Sequence, residues 1–213
     1  MRKFRTIVSI AVALLSFLPA SARQRNFILT CGRKAVDVIW TINEFGEWYD
    51  YTITTGPQKE HFTVDRKFRT FRYHIVNPAE KTDATVTREG GIYTFKGTFK
   101  GRPVDRTEES SGYPWYQNLE FNDPSEFEGG YVTFECIRPT ELDLYLLKAT
   151  SKGRVKEGGY DCIRVRATVT GPLAGIWGCD YYYDANTREF IIYKAVEGPP
   201  GTPITMITPV YHK

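Results

Sequence analysis

Past residue 22 the sequence almost nowhere sustains the 3.6-residue apolar period of a helix. It breaks instead into short alternating runs separated by glycine, proline, asparagine and aspartate, which is the pattern of strands and turns. Tyr160 to Thr170 alternates most clearly. Ile163, Val165, Ala167 and Val169 fall on one face, and Cys162, Arg164 and Arg166 on the other. Beyond Gly171-Pro172, Ile176 to Tyr183 and Glu189 to Lys194 flank the turn Asp184 to Arg188 and read as an aromatic hairpin. The two-residue period puts Trp177, Cys179, Tyr181 and Tyr183 on one face of it, and Gly178, Asp180 and Tyr182 on the other.

The same reading runs along the chain. Asn26 to Cys31 and Ala35 to Ile42 are strands joined through Gly32-Arg33-Lys34, and Glu47 to Thr54 is a third. Residues 60 to 76 give two strands with a bend near Asp65-Arg66-Lys67, and Ala84 to Arg88 with Ile92 to Thr98 gives a hairpin across Glu89-Gly90-Gly91. Pro103 to Pro114 reads as the longest irregular section, and Asn122 to Gly130 as a second loop. Tyr131 to Arg138 is a strand. Thr140 to Ala149 is read as a strand on the alternation of its leucines, although Thr140 and Asp143 could also cap a helix. Gly198 to Pro203 makes a tight turn before a last strand, Ile204 to Val210. About a dozen short strands predict a mainly β fold: a single curved antiparallel sheet forming a half-open or closed β-barrel, with few or no helices.

Residues 1–22 are set apart from this domain. Arg2, Lys3 and Arg5 precede an apolar core from Ile7 to Leu18, and Ala20-Ser21-Ala22 ends in a small-x-small pattern. This pattern predicts a signal peptide cleaved after Ala22, leaving one domain, 23–213, in the periplasm. The chain has 28 basic and 25 acidic residues, and the leader's three basic groups account for the excess. A mature protein neutral by count gives no support for nucleic-acid binding. No run after the leader is long and apolar enough for a transmembrane span. An exported location makes disulfides available to Cys31, Cys136, Cys162 and Cys179. Strand parity groups the first, second and fourth with apolar faces and sets Cys162 apart, while buried free thiols remain an equal alternative.

Motifs for catalysis are absent: there is no GxSxG, HExxH, GxGxxG or Walker pattern. The three histidines have no ligand spacing, so no metal and no cofactor is expected. Carboxylates gather at Asp105, Glu108, Glu109, Glu120, Asp123, Glu126 and Glu128, and a hydrolase using Glu108, Glu109 or Glu120 is the weakest of three readings. Aromatic residues are the stronger signal, at 15% of the chain. A curved sheet lined by them encloses either a filled core or an apolar ligand. For a lipid or acyl-chain ligand, Trp115, Tyr116, Trp177, Tyr181 and Tyr183 are the candidate lining, with Arg164 or Arg166 meeting a headgroup. The second reading is an interaction module with a filled core, whose exposed edge or loops 103–130 bind another envelope protein.

Three stretches carry a resemblance: Gly112-Tyr113-Pro114-Trp115-Tyr116-Gln117-Asn118-Leu119-Glu120-Phe121, Ile176 to Tyr183, and Gly198 to Pro203. With them, roughly residues 84 to 210 resemble uncharacterised exported bacterial proteins with a half-open barrel similar to that of the periplasmic lipoprotein carriers. The resemblance implies a carrier-like concave sheet and supplies no catalytic residue.

Overall fold

The computed structural model describes residues 21–171, 177–196 and 202–210. The leader up to residue 20, Ile176 and most of the Gly198–Pro203 turn lie outside the described residues.

Fourteen strands follow in order: β1 (Ser21–Cys31), β2 (Lys34–Phe45), β3 (Trp48–Thr55), β4 (Gln58–Asp65), β5 (Thr70–Asn77), β6 (Thr82–Glu89), β7 (Ile92–Phe99), β8 (Arg102–Glu109), β9 (Val132–Arg138), β10 (Asp143–Glu157), β11 (Tyr160–Val169), β12 (Gly178–Asp184), β13 (Phe190–Val196) and β14 (Ile204–Pro209). They form one antiparallel sheet, in the order β8 to β1 and then β14 to β9. Only two 3₁₀ turns, Pro78–Glu80 and Pro124–Phe127, interrupt the β structure among the described residues. The first and last strands pair, Phe27 opposite Pro209 and Cys31 opposite Thr205. Cleavage after Ala22 would shorten β1 by Ser21 and Ala22 alone.

The sheet curves but no ladder closes it, because β8 and β9 stand at its two ends. β9 instead packs across the inside, buried on both faces. Phe134 and Cys136 join Phe27, Trp40, Cys179 and Tyr183 in one cluster. Ile137, on the opposite face, joins Tyr51, Phe62, Tyr73, Val86, Tyr93, Phe95 and Trp115 in a second. Its outer edge is covered by the segment around Trp115, which forms an isolated parallel bridge with Glu135. A smaller cluster of Cys162, Tyr182, Ile191 and Ile192 lies on the other side of the sheet. It matches the parity that separates Cys162 from the inward-facing residues. All four cysteines are free thiols.

One sequence expectation changes and an ambiguous one settles as read. Arg102–Glu109, within the stretch read as irregular, is a full strand paired along β7. Its alternation is polar, so it lacks an apolar signature, and Pro103 is tolerated because β8 lies at the edge of the sheet. Thr140 to Ala149 settles as strand from Asp143 and continues to Glu157, with a register shift between Ser151 and Arg154.

Candidate functional site

Residues 110–131 are the longest stretch outside the strands among the described residues, and much of this segment lies inside the barrel. Trp115, Tyr116, Leu119 and Phe127 are buried core residues. Main-chain bonds hold the segment between β5 and β9: Thr70 N–H donates to Trp115 O at 2.7 Å, Glu135 N–H to Pro114 O at 2.8 Å and Tyr116 N–H to Glu135 O at 3.0 Å. Gln117 donates to Ile137 O at 2.7 Å and accepts from Ile137 N–H at 3.1 Å, mimicking a strand partner. Tyr183 O–H donates to Leu119 O at 2.6 Å. Burying the Trp115 ring stabilises the plug by about 2–3 kcal/mol relative to leaving it in water.

The plug meets a cavity of about 530 Å³. Its walls come from β1 (Arg23, Gln24, Arg25), β2 (Ile42), β3 (Tyr49, Tyr51), the β4–β5 turn (Phe68), the plug (Glu120, Phe121, Asn122) and the β12–β13 connection (Arg188, Glu189, Phe190). The register explains the combination. Arg23, Arg25 and Phe27 share the inward face of β1, opposite Ile42, Trp40 and Val38. The inward face therefore passes from aromatic core to arginine as β1 reaches the end of the barrel. Aromatic contacts continue the wall: Tyr49 stacks on Phe68 with centroids 5.5 Å apart, and Phe121 lies 4.0 Å from Tyr51 and 5.0 Å from Trp40.

The cations of the cavity are held to different degrees. Arg25 donates to Phe190 O at 2.9 Å, and Arg188 bonds Asp123 at 3.1 Å. Arg23 is exposed and makes no hydrogen bond or ion pair with a described residue; Glu44 is lowered chiefly by its hydrogen bond from Arg66, with Arg23 adding a little, and Arg23 only partly opposes the rise that burial gives Tyr51. Glu120 is only 9% exposed, and its Oε2 has no hydrogen-bond partner. Burial pushes its carboxyl up to about 8 from the ordinary 4.5, with Glu60 adding to the rise and main-chain hydrogen bonds opposing it. Glu60, raised by burial, is eased by hydrogen bonds from Tyr73 O–H and Gln58.

The chain shares its overall fold with a protein of unknown function. That structure, a β-barrel-like protein of Domain of Unknown Function DUF1849 from Brucella abortus, is 11% identical. The match covers 91% of this chain and 97% of that one, with a TM-score of 0.60. A DUF1329 family protein from Desulfovibrio piger, also 11% identical, matches at a TM-score of 0.31 over 94% of this chain and 88% of that one. The first likeness is one of fold alone. No family model matches the chain, and no curated protein sequence matches it significantly.

None of the seven candidate lining residues borders the 530 Å³ cavity. Trp115, Tyr116 and Tyr183 are enclosed in the core, and Trp115 and Tyr183 hold the plug through Gln117 and Leu119. Trp177 and Tyr181 face inward and stay half-buried against the core, Tyr181 packing edge-on to Tyr193 at 5.2 Å. Arg164 and Arg166 point to the opposite face of the sheet and close on Asp180, each at 2.8 Å. They neutralise that carboxylate and do not enter the barrel. Glu108 and Glu109 sit on β8, apart from the cavity that holds Glu120. His61 and His74 do lie opposite each other, but they turn to separate carboxylates, Asp50 and Asp83. No metal-capable cluster forms among the described residues.

The sequence hid the cavity for a plain reason. Arg23 and Arg25 directly follow the leader and belong to no motif, and only the β1–β2 register turns them inward. Glu120 read as one of many loop carboxylates.

Proposed function

We propose that this is an exported envelope protein that binds an amphipathic anion, such as a fatty acid or another acyl-chain amphiphile, without catalysis. The observation that carries this reading is a cavity with aromatic residues in its walls and cations that include Arg23, which makes no hydrogen bond or ion pair with a described residue. A volume of about 530 Å³ lies in the range of small-ligand sites, and the lining is amphipathic, with aromatic and aliphatic side chains beside about as many charged and amide groups. Ile42, Tyr49, Tyr51, Phe68 and Phe121 would cover the chain, and Arg23, with Arg25 and Arg188 beside it, would meet the anionic head. The curved sheet suits the resemblance to lipoprotein carriers. Those carriers cover their concave face with helices, whereas here a plug segment enters the barrel.

Displacement of a fluorescent fatty acid by dodecanoate, dodecanol and dodecylamine tests the reading. Dodecanoate should compete best, and Arg23→Glu should weaken it by about tenfold with little effect on dodecanol, the dependence fading in high salt. Failure of the protein to bind any of the three would sink the proposal. Equal binding of acid and amine would remove the arginines from it.

A further inference from the structure

The two ends of the sheet are finished differently. At β9, Tyr116 N–H donates to Glu135 O, Glu135 N–H donates to Pro114 O, and the Gln117 side chain bonds both main-chain groups of Ile137, so the plug takes the place of a neighbouring strand. Among the described residues β8 has no such cover and pairs with β7 alone. Ser110 N–H donates to Gly91 O at 2.8 Å, beside the last pair of that ladder, and this contact fixes which way the main chain points. Main-chain groups alternate between the two sides of an antiparallel strand, so the even-numbered residues of β8 bond to β7. Pro103, Asp105, Thr107 and Glu109 turn theirs to the open side, where a proline has no ladder bond to lose. No main-chain group of a described residue pairs with them there.

Sheet edges are commonly guarded by a bulge, a lysine or a covering segment. The β7–β8 register runs unbroken from Ile92–Glu109 to Phe99–Arg102, β8 has no lysine, and Pro103 guards only its beginning. The strand is nonetheless held firmly from within. Arg106 lies over the Phe95 ring and donates to Leu142 O at 2.7 Å and Asp143 at 3.0 Å. An anchored, unbroken strand with one free side is a template for another strand.

Charge indicates what kind of strand. Asp105, Thr107 and Glu109 are exposed and share one face of β8. Asp105 lies opposite Lys96, but Glu109 lies opposite Ile92, whose own partner on β6 is Glu89. A second copy of this chain fits poorly. Antiparallel pairing about a two-fold axis sets one residue against its own copy, and centring on residues 105, 106 or 107 brings together Asp105 with Asp105, Arg106 with Arg106, or Asp105 with Glu109. A strand with cations facing Asp105 and Glu109 meets complementary charge instead.

We propose that β8 is a strand-addition site for an extended, alternately basic segment of another protein. Main-chain bonds to Asp105, Thr107 and Glu109 would supply the affinity, and the two carboxylates would select the charge. The inference is independent of the amphiphile reading.

Hydrogen exchange on the full protein, with a synthetic peptide Lys-Val-Thr-Val-Lys-Val-Thr as the probe, tests it. In the free protein the amides of Asp105, Thr107 and Glu109 should exchange fast and those of Val104, Arg106 and Glu108 slowly, and the peptide should protect the first three. By fluorescence anisotropy the same peptide with glutamates in place of its lysines should bind about tenfold more weakly. N-methylation at its lysines and threonines, which blocks the ladder, should abolish binding. Glu109→Lys, at an exposed position, should cancel most of the preference for lysine without unfolding the protein. Slow exchange of the three amides in the free protein overturns the proposal, because the edge is then covered. So does equal binding of the lysine and glutamate peptides, or binding that survives N-methylation. A protein that ignores every peptide but dimerises with these amides protected would assign the edge to a second copy and overturn it as well.

Discussion

Glu135 and Glu120 are both buried carboxyl groups associated with the plug, and the chain treats them in opposite ways. Glu135, 1% exposed, accepts from Tyr93 O–H at 2.9 Å, Ser110 O–H at 2.8 Å and the main-chain N–H of Ser111, with the Arg88 guanidinium at 3.2 Å. Strands β6, β7 and β9 and the start of the plug thereby converge on one side chain. Glu120 has an orphan oxygen and a cavity beside it. A saturated carboxylate fastens structure. An unsaturated one is a cost to the fold, because its burial without a partner weakens the folded state.

The largest effect should come from breaking the saturated member. Glu135→Ala strands Arg88 and Tyr93 and releases the start of the plug, so denaturant unfolding should show a loss of about 3–5 kcal/mol. A loss under about 1 kcal/mol would erase the contrast between the two sites.

Glu120 should respond with the opposite sign and with a pH signature. Its folded value lies above its ordinary one, so the folded state holds the proton more tightly. The destabilisation is absent below about pH 4.5, grows as the unfolded chain ionises, and levels off above about pH 8. Glu120→Gln removes this linkage. Unfolding measured at pH 4.5 and pH 8 should show little gain at the first and about 3 kcal/mol at the second, relative to wild type. A gain independent of pH would mean that the carboxyl is not desolvated as its surroundings imply.

The smallest effect belongs to the arginine pair outside the barrel. Arg164→Ala leaves Asp180 bonded to Arg166, and both arginines are partly exposed. Stability should fall by no more than about 1 kcal/mol, and fatty-acid affinity should stay unchanged. Weaker ligand binding would return these residues to the place the sequence first suggested for them.

Much of the fold was legible because it depends on local pattern. Alternation and turn residues gave nearly every strand, the β-dominated class and the inward faces of β11 and β12, down to Cys162 lying apart from Cys179. The missed strand, β8, is an edge whose alternation is polar. The site was legible only in its chemistry. Aromatic residues do line the cavity, but they are Tyr49, Tyr51, Phe68 and Phe121 rather than the hairpin tyrosines. Expected surface loops also proved partly wrong: 103–130 is an edge strand followed by the plug.

The sequence by itself determined the strands and which face of each turns inward, because a two-residue period is written into neighbouring side chains. The tertiary structure alone decided where that face stops being core. Sheet curvature carried Arg23 and Arg25 to one end of the barrel, and the plug brought Glu120 and Asn122 to the same space. Contacts among β1, β3, the plug and the β12–β13 connection join residues far apart in the chain, and no local periodicity records a void between them.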